Sequence, residues 1–139
     1  MSVFVTVLCP TYKRHRYIPW VIEQFNKQTY EQSMMELIIF DDSPSKYPFL
    51  IHESNIHYHH DDSKKYMLWE KRNILNNLAQ GDIIVCMDDD DFYFNTLVQH
   101  AVDTLQKNKV QLVGLSSMYI YNICDDKLYF YKAERHNLI

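Results

Sequence analysis

Ile83-Ile84-Val85-Cys86-Met87-Asp88-Asp89-Asp90-Asp91 is the stretch that decides the reading of this chain. An apolar run followed at once by four carboxylates sets concentrated negative charge at the end of a buried strand. Like charges this close repel, which costs stability unless something cationic sits among them. Oxygen-only ligands of this kind suit a hard divalent ion such as Mg²⁺ or Mn²⁺, which keeps open positions for substrate phosphates. The plainer alternative is a solvated acidic turn or a helix N-cap. It accounts for Asp91, expected to serve the helix that follows. Four carboxylates in a row exceed what a cap needs.

Two other apolar runs end in the same way. Val3 to Cys9 is β-rich and stops at Pro10, ahead of the basic loop Thr11-Tyr12-Lys13-Arg14-His15-Arg16. Leu37 to Phe40 stops at Asp41-Asp42-Ser43-Pro44. Near-continuous apolar runs are the mark of strands covered on both faces. Between them, Tyr17 to Lys27 carries Ile18, Val21, Ile22 and Phe25 at helical spacing, with Pro19 in the first turn. Lys65 to Ala79 reads as a second helix, with Leu68, Leu75, Leu78 and Ala79 on one face and Gly81 at its exit. Leu97, Val98, Ala101 and Leu105 mark a third. Ile56 to His60 is a short strand. Val110 to Ser116 and Ser117 to Asn122 are strand-like, and Lys127 to Lys132 can pair back across Cys124-Asp125-Asp126. This alternation predicts one α/β domain with an open, mostly parallel sheet and helices on both faces. Ligands of such sheets bind beyond the carboxyl ends of the strands. Residues 10–16, 41–43 and 88–91 all fall at that edge.

Composition narrows the function. The 139 residues carry 14 basic and 18 acidic side chains, a net charge of −4, which argues against a nucleic-acid surface. No apolar stretch approaches the roughly 20 residues of a membrane span, and the N-terminal run has no basic flank of the signal-peptide kind. Cys9, Cys86 and Cys124 are too widely spaced for a zinc motif and read as buried reduced thiols of a cytoplasmic protein. Gly81 and Gly114 are the only glycines, too few for a glycine-rich phosphate loop.

Each candidate site residue has a functional and a plain reading. Asp41 or Asp42 can accept a hydrogen bond from a nucleobase N–H, or can close an Asx turn ahead of Ser43-Pro44. Lys13, Arg14 and Arg16 can hold a diphosphate, or can be a solvated loop. Arg72 can reach the acidic edge from its helix, or can be an ordinary exposed arginine. His57, His59, His60, Asp61 and Asp62 resemble a metal cluster on paper, but His60 falls on the opposite strand face from His57 and His59. Tyr119, Tyr121, Tyr129, Phe130 and Tyr131 are expected to pack a hairpin face, some of them flooring an acceptor groove.

Taken together, Val5-Thr6-Val7-Leu8-Cys9-Pro10-Thr11-Tyr12-Lys13-Arg14, Leu37-Ile38-Ile39-Phe40-Asp41-Asp42-Ser43, and Lys71-Arg72-Asn73 followed by Leu78-Ala79-Gln80-Gly81-Asp82-Ile83-Ile84-Val85 and the aspartates resemble the family 2 glycosyltransferases of GT-A fold. The resemblance implies that Pro10, Tyr12 and Arg14 line a nucleotide pocket, that Asp42 recognises uracil or another base, and that Arg72 contacts the nucleotide. Asp88-Asp89-Asp90 would be the family's D-x-D element. Asp88 and Asp89 would then lie against the nucleotide, Asp89 near the ribose, and Asp90 would hold Mn²⁺ or Mg²⁺. Four aspartates in a row leave two registers open. The implied reaction is metal-dependent, inverting transfer from a nucleotide-diphospho-sugar, UDP-linked by expectation, to a hydroxyl of a glycan, lipid or protein.

The family's catalytic base sits in a later acceptor-binding half, near a Glu-Asp pair. Asp125, Asp126 and Glu134 fit that pattern poorly. The chain is therefore expected to be a nucleotide-binding half, with residues 1–107 forming the donor part and 108–139 beginning the acceptor part. Two other functions stand beside transfer. One is nucleotide-sugar binding that needs a partner or further chain for catalysis. The other is nucleotidyl transfer, whose usual early glycine-rich loop is missing from Thr11 to Arg16.

Overall fold

The computed structural model describes residues 3–132. Four parallel strands form one sheet in the order β3-β2-β1-β4: β1 (Val5–Thr11), β2 (Met35–Asp41), β3 (Ile56–His60) and β4 (Ile83–Cys86). Helix α1 (Ile18–Asn26) connects β1 to β2, α2 (Leu68–Leu78) precedes β4, and α3 (Leu97–Asn108) follows it. An antiparallel hairpin, β5 (Ser117–Asn122) and β6 (Lys127–Lys132), forms a separate two-stranded sheet.

The two-residue period of a strand sorts the core. Val5, Val7 and Cys9 of β1 join Leu37 and Ile39 of β2 on one face, packed with Val21 and Phe25 of α1 and Val98 and Val102 of α3. Leu8, Ile38 and Phe40 lie on the other face beneath Leu75 of α2. Helices thus cover both faces of the sheet, as the sequence predicts. Burying Phe25 alone, fully enclosed here, is worth about 1.5–3 kcal/mol. The lower end of the second face is polar but paired. Glu36 Oε1 accepts the Thr6 hydroxyl at 2.6 Å and the Gln80 N–H at 2.9 Å.

Several expectations are corrected. Pro10 does not end β1, which runs on to Thr11. The β1–β4 ladder stops at Leu8–Cys86, so Pro10 is paired only with β2, and a missing N–H is tolerated where one side of the strand is open. Helix α2 begins at Leu68, not Lys65, and Glu70 Oε2 accepts the Met67 N–H at its start. Leu68 is exposed rather than packed. Val110 to Ser116 forms no strand. Asp91 does not cap α3, whose N-cap is Thr96. Cys9 is buried, whereas Cys86 and Cys124 are exposed, and none of the three is in a disulfide. Gly81 is not a left-handed helix exit. A Cβ there would lie 2.5 Å from the Thr6 backbone nitrogen and 2.9 Å from the Phe4 carbonyl oxygen.

Candidate active site

The carboxyl ends of β1, β2 and β4 bring the three polar segments to one edge. A hollow of about 280 Å³ opens there, lined by Pro10 at the end of β1, Tyr12 and Arg14 just after it, Leu68 and Lys71 of α2, and Asp88 to Asp90 after β4. A larger hollow of about 480 Å³ lies between α1 and residues 47–53. None of the strand-end carboxylates lines that one, so the smaller hollow is where the chemistry-bearing groups meet.

The acidic run is divided by burial. Asp89 is buried: its Oδ2 accepts the Thr11 hydroxyl at 2.6 Å and its Oδ1 accepts Arg14 Nη1 at 2.9 Å. Asp90 is exposed and its Oδ2 accepts the same Nη1 at 2.6 Å. Asp88 lies 3.4 Å from Arg72 Nη2, and its backbone N–H donates to the Tyr93 hydroxyl at 2.8 Å. Asp91 does not line the hollow; its carbonyl accepts Gln24 Nε2 at 3.0 Å. Burial, with the charges of Asp90 and Asp88, pushes the Asp91 carboxyl up. Of the two registers, the one that faces the hollow is Asp88 to Asp90. Beneath it, burial and then the Asp89 charge push the Cys9 thiol up, so that thiol is inert.

Arg14 is the cation that the acidic run calls for. Its hydrogen bond to Asp89 is the main reason its pKa is raised. Arg16 instead reaches the Tyr17 hydroxyl at 3.1 Å, away from the carboxylates. Lys13 takes a positive φ of 55°, and its N–H donates to Ser43 Oγ at 2.6 Å, tying the first loop to the end of β2. The Tyr12 ring has three ammonium groups around it: Lys65 at 4.8 Å, Lys13 at 5.3 Å and Lys71 at 5.7 Å.

Asp41 and Asp42 have separate tasks. Asp41 closes an Asx turn, its Oδ1 accepting the Ser43 N–H at 2.9 Å, while Oδ2 accepts the Tyr58 hydroxyl at 2.6 Å and meets His15 Nε2 at 2.9 Å. Burial pushes the Asp41 carboxyl up, but the bonds from Ser43, Tyr58 and His15 outweigh it and hold the group below its ordinary value. Asp42 is also buried. Its Oδ1 accepts Lys71 Nζ at 2.8 Å and its Oδ2 accepts the Tyr66 N–H at 2.7 Å. Lys71 and Thr11 are site residues that sequence reasoning did not single out. Lys71 was legible only as the neighbour of Arg72, and a helical lysine is exposed by default. Here Lys71 is the buried one, and Arg72 is half-exposed.

His57 faces Glu36 at 3.5 Å and His60 Nε2 meets the Ser43 carbonyl at 2.8 Å. Among the described residues no three acidic, histidine or cysteine side chains converge as a metal cage. Asp88 to Asp90 offer oxygen ligands only, a donor set whose chemistry suits a hard ion that takes one or two carboxylates and draws its other ligands from phosphates and water, as Mg²⁺ does. Asp88 and Asp90, with side chains 39% and 46% exposed, are the rim carboxylates open to solvent.

Comparison with known proteins agrees with this architecture. S. aureus TarS in complex with UDP-GlcNAc superposes with a TM-score of 0.65 at 19% identity, over 81% of this chain and 36% of that one. A mannosyltransferase, PcManGT from Pyrobaculum calidifontis, in complex with GDP-Man and Mn²⁺, gives 0.57 at 21% identity over 76% and 31%. At these identities the likeness is one of fold, in keeping with the α/β layout that the sequence predicts. Glycosyltransferase GlyG of Streptococcus pneumoniae is 24% identical over 137 residues, 94% of this chain and 44% of that protein. The chain thus spans less than half the length of each of these relatives. The family model for glycosyl transferase family 2 matches residues 6–134, taking in all three strand ends and the helix that bears Lys71 and Arg72, and on that match the chain belongs to glycosyl transferase family 2.

Proposed function

We propose that this chain is the donor-binding part of a metal-dependent, inverting glycosyltransferase that takes its sugar from a nucleotide-diphospho-sugar, with UDP as the nucleotide. The observation that carries this reading is the joining of Pro10, Tyr12, Arg14, Lys71 and Asp88 to Asp90 around one hollow at the carboxyl edge of the sheet. Arg14 and Arg72 bind the diphosphate by charge-assisted bonds. Asp88 and Asp89 lie against the nucleotide, and Asp42 works at the base end through the helix residue it holds. Asp90 would hold Mn²⁺ or Mg²⁺, which when bound supplies Lewis-acid neutralisation of the charge on the departing diphosphate. Residues 1–107 form this donor part. The acceptor is a hydroxyl of a glycan, lipid or protein. The three free thiols suit a reducing compartment and support a cytoplasmic location. Among the described residues no helix is long and apolar enough to cross a membrane.

Inverting transfer also needs a base within hydrogen-bond reach of the acceptor hydroxyl. Asp125 accepts the Tyr129 hydroxyl at 2.6 Å and Asp126 accepts that of Tyr121, both in the exposed hairpin turn, and Glu134 lies outside the described residues. That placement favours a second reading, donor binding without transfer by this chain alone. Calorimetry with UDP in Mn²⁺ and in EDTA tests the donor site, with Asp90→Ala as the control that should erase the metal-dependent part. Equal affinity in EDTA and Mn²⁺ would remove the metal assignment. Multiple-turnover transfer from a UDP-sugar by the purified chain would remove the second reading.

A further inference from the structure

The strand order gives the hollow two ends. The acidic run and Arg14 stand over β4 and β1, while Asp42 follows β2 on the other side of β1, and Lys71 bridges from Asp42 to the Thr11 carbonyl at the end of β1. Neighbouring strands lie about 4.8 Å apart, so the ends of β4 and β2 are roughly 10 Å apart, a distance that a nucleoside diphosphate laid across the edge can span. A diphosphate at the β4 end leaves the base at the β2 end. The carboxylate of Asp42 does not face that position. Its side chain is 0% exposed, both oxygens are engaged, and it does not line the hollow. The side chain that lines it there is Lys71, which is 9% exposed. Its ammonium carries three N–H groups. One goes to Asp42 Oδ1 at 2.8 Å and one to the Thr11 carbonyl at 3.0 Å, leaving one for a ligand.

Resting on the donor-site reading above, we propose that Lys71 determines base specificity: its ammonium donates to a carbonyl oxygen of the base, and Asp42 is a positioning residue that aims and neutralises it. An ammonium can donate but not accept. It therefore suits the exocyclic carbonyl of uracil or guanine; at that position adenine carries an amino group, itself a donor, which leaves the ammonium without an acceptor there. The anchors to Asp42 and to the β1 carbonyl fix the donor at low entropic cost, unlike a lysine on a free surface.

The test measures UDP, GDP and ADP binding, in Mn²⁺, to the wild-type chain, to Asp42→Asn, and to the double variant Lys71→Met with Asp42→Asn. The double variant removes both buried charges together, so no unpaired carboxylate is left inside, and its thermal melt checks the fold. The wild type should prefer UDP and GDP over ADP by about 10- to 100-fold, the worth of a hydrogen bond to a charged group. The double variant should lose that factor for UDP and GDP and keep its ADP affinity. Asp42→Asn, with Lys71 retained but loosened, should lose part of the preference. UDP binding with no preference over ADP in the wild type overturns the proposal without touching the donor site. Equal losses for UDP and ADP in the double variant overturn it too, since they would place Lys71 on the phosphates. So does a preference that survives the double variant. A wild-type chain that binds none of the three nucleotides overturns the donor-site reading and this proposal together.

Discussion

Replacing Arg14 by methionine should move the binding of the two ligands proposed for this site in opposite directions. Arg14 Nη1 lies 2.6 Å from Asp90 Oδ2 and 2.9 Å from Asp89 Oδ1, so one guanidinium neutralises the carboxylates that a divalent ion would need. An ion arriving at Asp90 without nucleotide must displace that contact or share it against a like charge. Two unit charges 4 Å apart interact by about 4 kcal/mol at an effective dielectric of 20 and about 1 kcal/mol in water. The Arg14 and Asp90 side chains are 45% and 46% exposed, which sets this pair near the water end. The methionine variant should therefore bind Mn²⁺ in nucleotide-free protein about tenfold more tightly, close to 1.4 kcal/mol. It should also bind UDP more weakly, because a charge-assisted contact to the diphosphate is gone. Free Mn²⁺ followed by electron paramagnetic resonance reads the first effect without any turnover, and calorimetry with UDP reads the second. Unchanged or weaker Mn²⁺ binding in the variant would show that Arg14 does not compete for the metal carboxylate.

Gly81→Ala, just ahead of β4, should be among the most destabilising single changes beside the sheet. Its new methyl would press on backbone atoms of Thr6 and Phe4, which cannot step aside as a side-chain tip can, so the loss should reach the upper end of the overpacking range, about 3 kcal/mol or more. A urea melt within about 0.5 kcal/mol of wild type would refute that close approach. Asp41 sets an acid limit on the fold. Its folded-state pKa is depressed, so its stabilisation is present above the ordinary carboxylate value of about 3.9 and is lost as pH falls through the lower folded value. Asp41→Asn should therefore be less stable than wild type at neutral pH, with the gap narrowing in melts taken below about pH 4. A gap that stays constant with pH would mean that the Asp41 charge is not what Ser43, Tyr58 and His15 stabilise.

The parts of the fold that follow from local pattern were legible, and those that depend on neighbours were not. Ile56 to His60 is a strand with the bounds that its alternation gives, and the apolar residues of α1 face the sheet as their spacing requires. The end of β1 was misread because Pro10 stops a strand only where both sides are paired, and which side is open depends on β4, more than seventy residues further along the chain. The hairpin strands were found, but their aromatics are exposed rather than packed. Pairing is local to 117–132, whereas cover for the faces has to come from elsewhere, and among the described residues only the Tyr119–Phe130 pair, at 5.0 Å, meets across it.

The site divides along the same line. Strand-end carboxylates announce themselves, because four aspartates after an apolar run have few explanations. Their counter-charges do not. Arg14 and Lys71 look alike in sequence, each a basic residue in a polar stretch, yet one spans two carboxylates at the rim and the other is sealed under the first loop against Asp42. Burying a lysine is costly unless it is paired and hydrogen-bonded, so its burial beside a hollow requires a partner inside, and Asp42 is that partner. The same pairing removes Asp42 from the surface. On the proposal above, a carboxylate that sequence likeness assigns to the base acts through the ammonium in front of it, and the test treats the two residues as one unit. The rim pair is different: Arg14 and Asp90 are exposed enough to part, and they can exchange each other for a diphosphate and a divalent ion. If both exchanges occur in one complex, the two ligands favour each other's binding by the same factor, since coupling between sites is reciprocal.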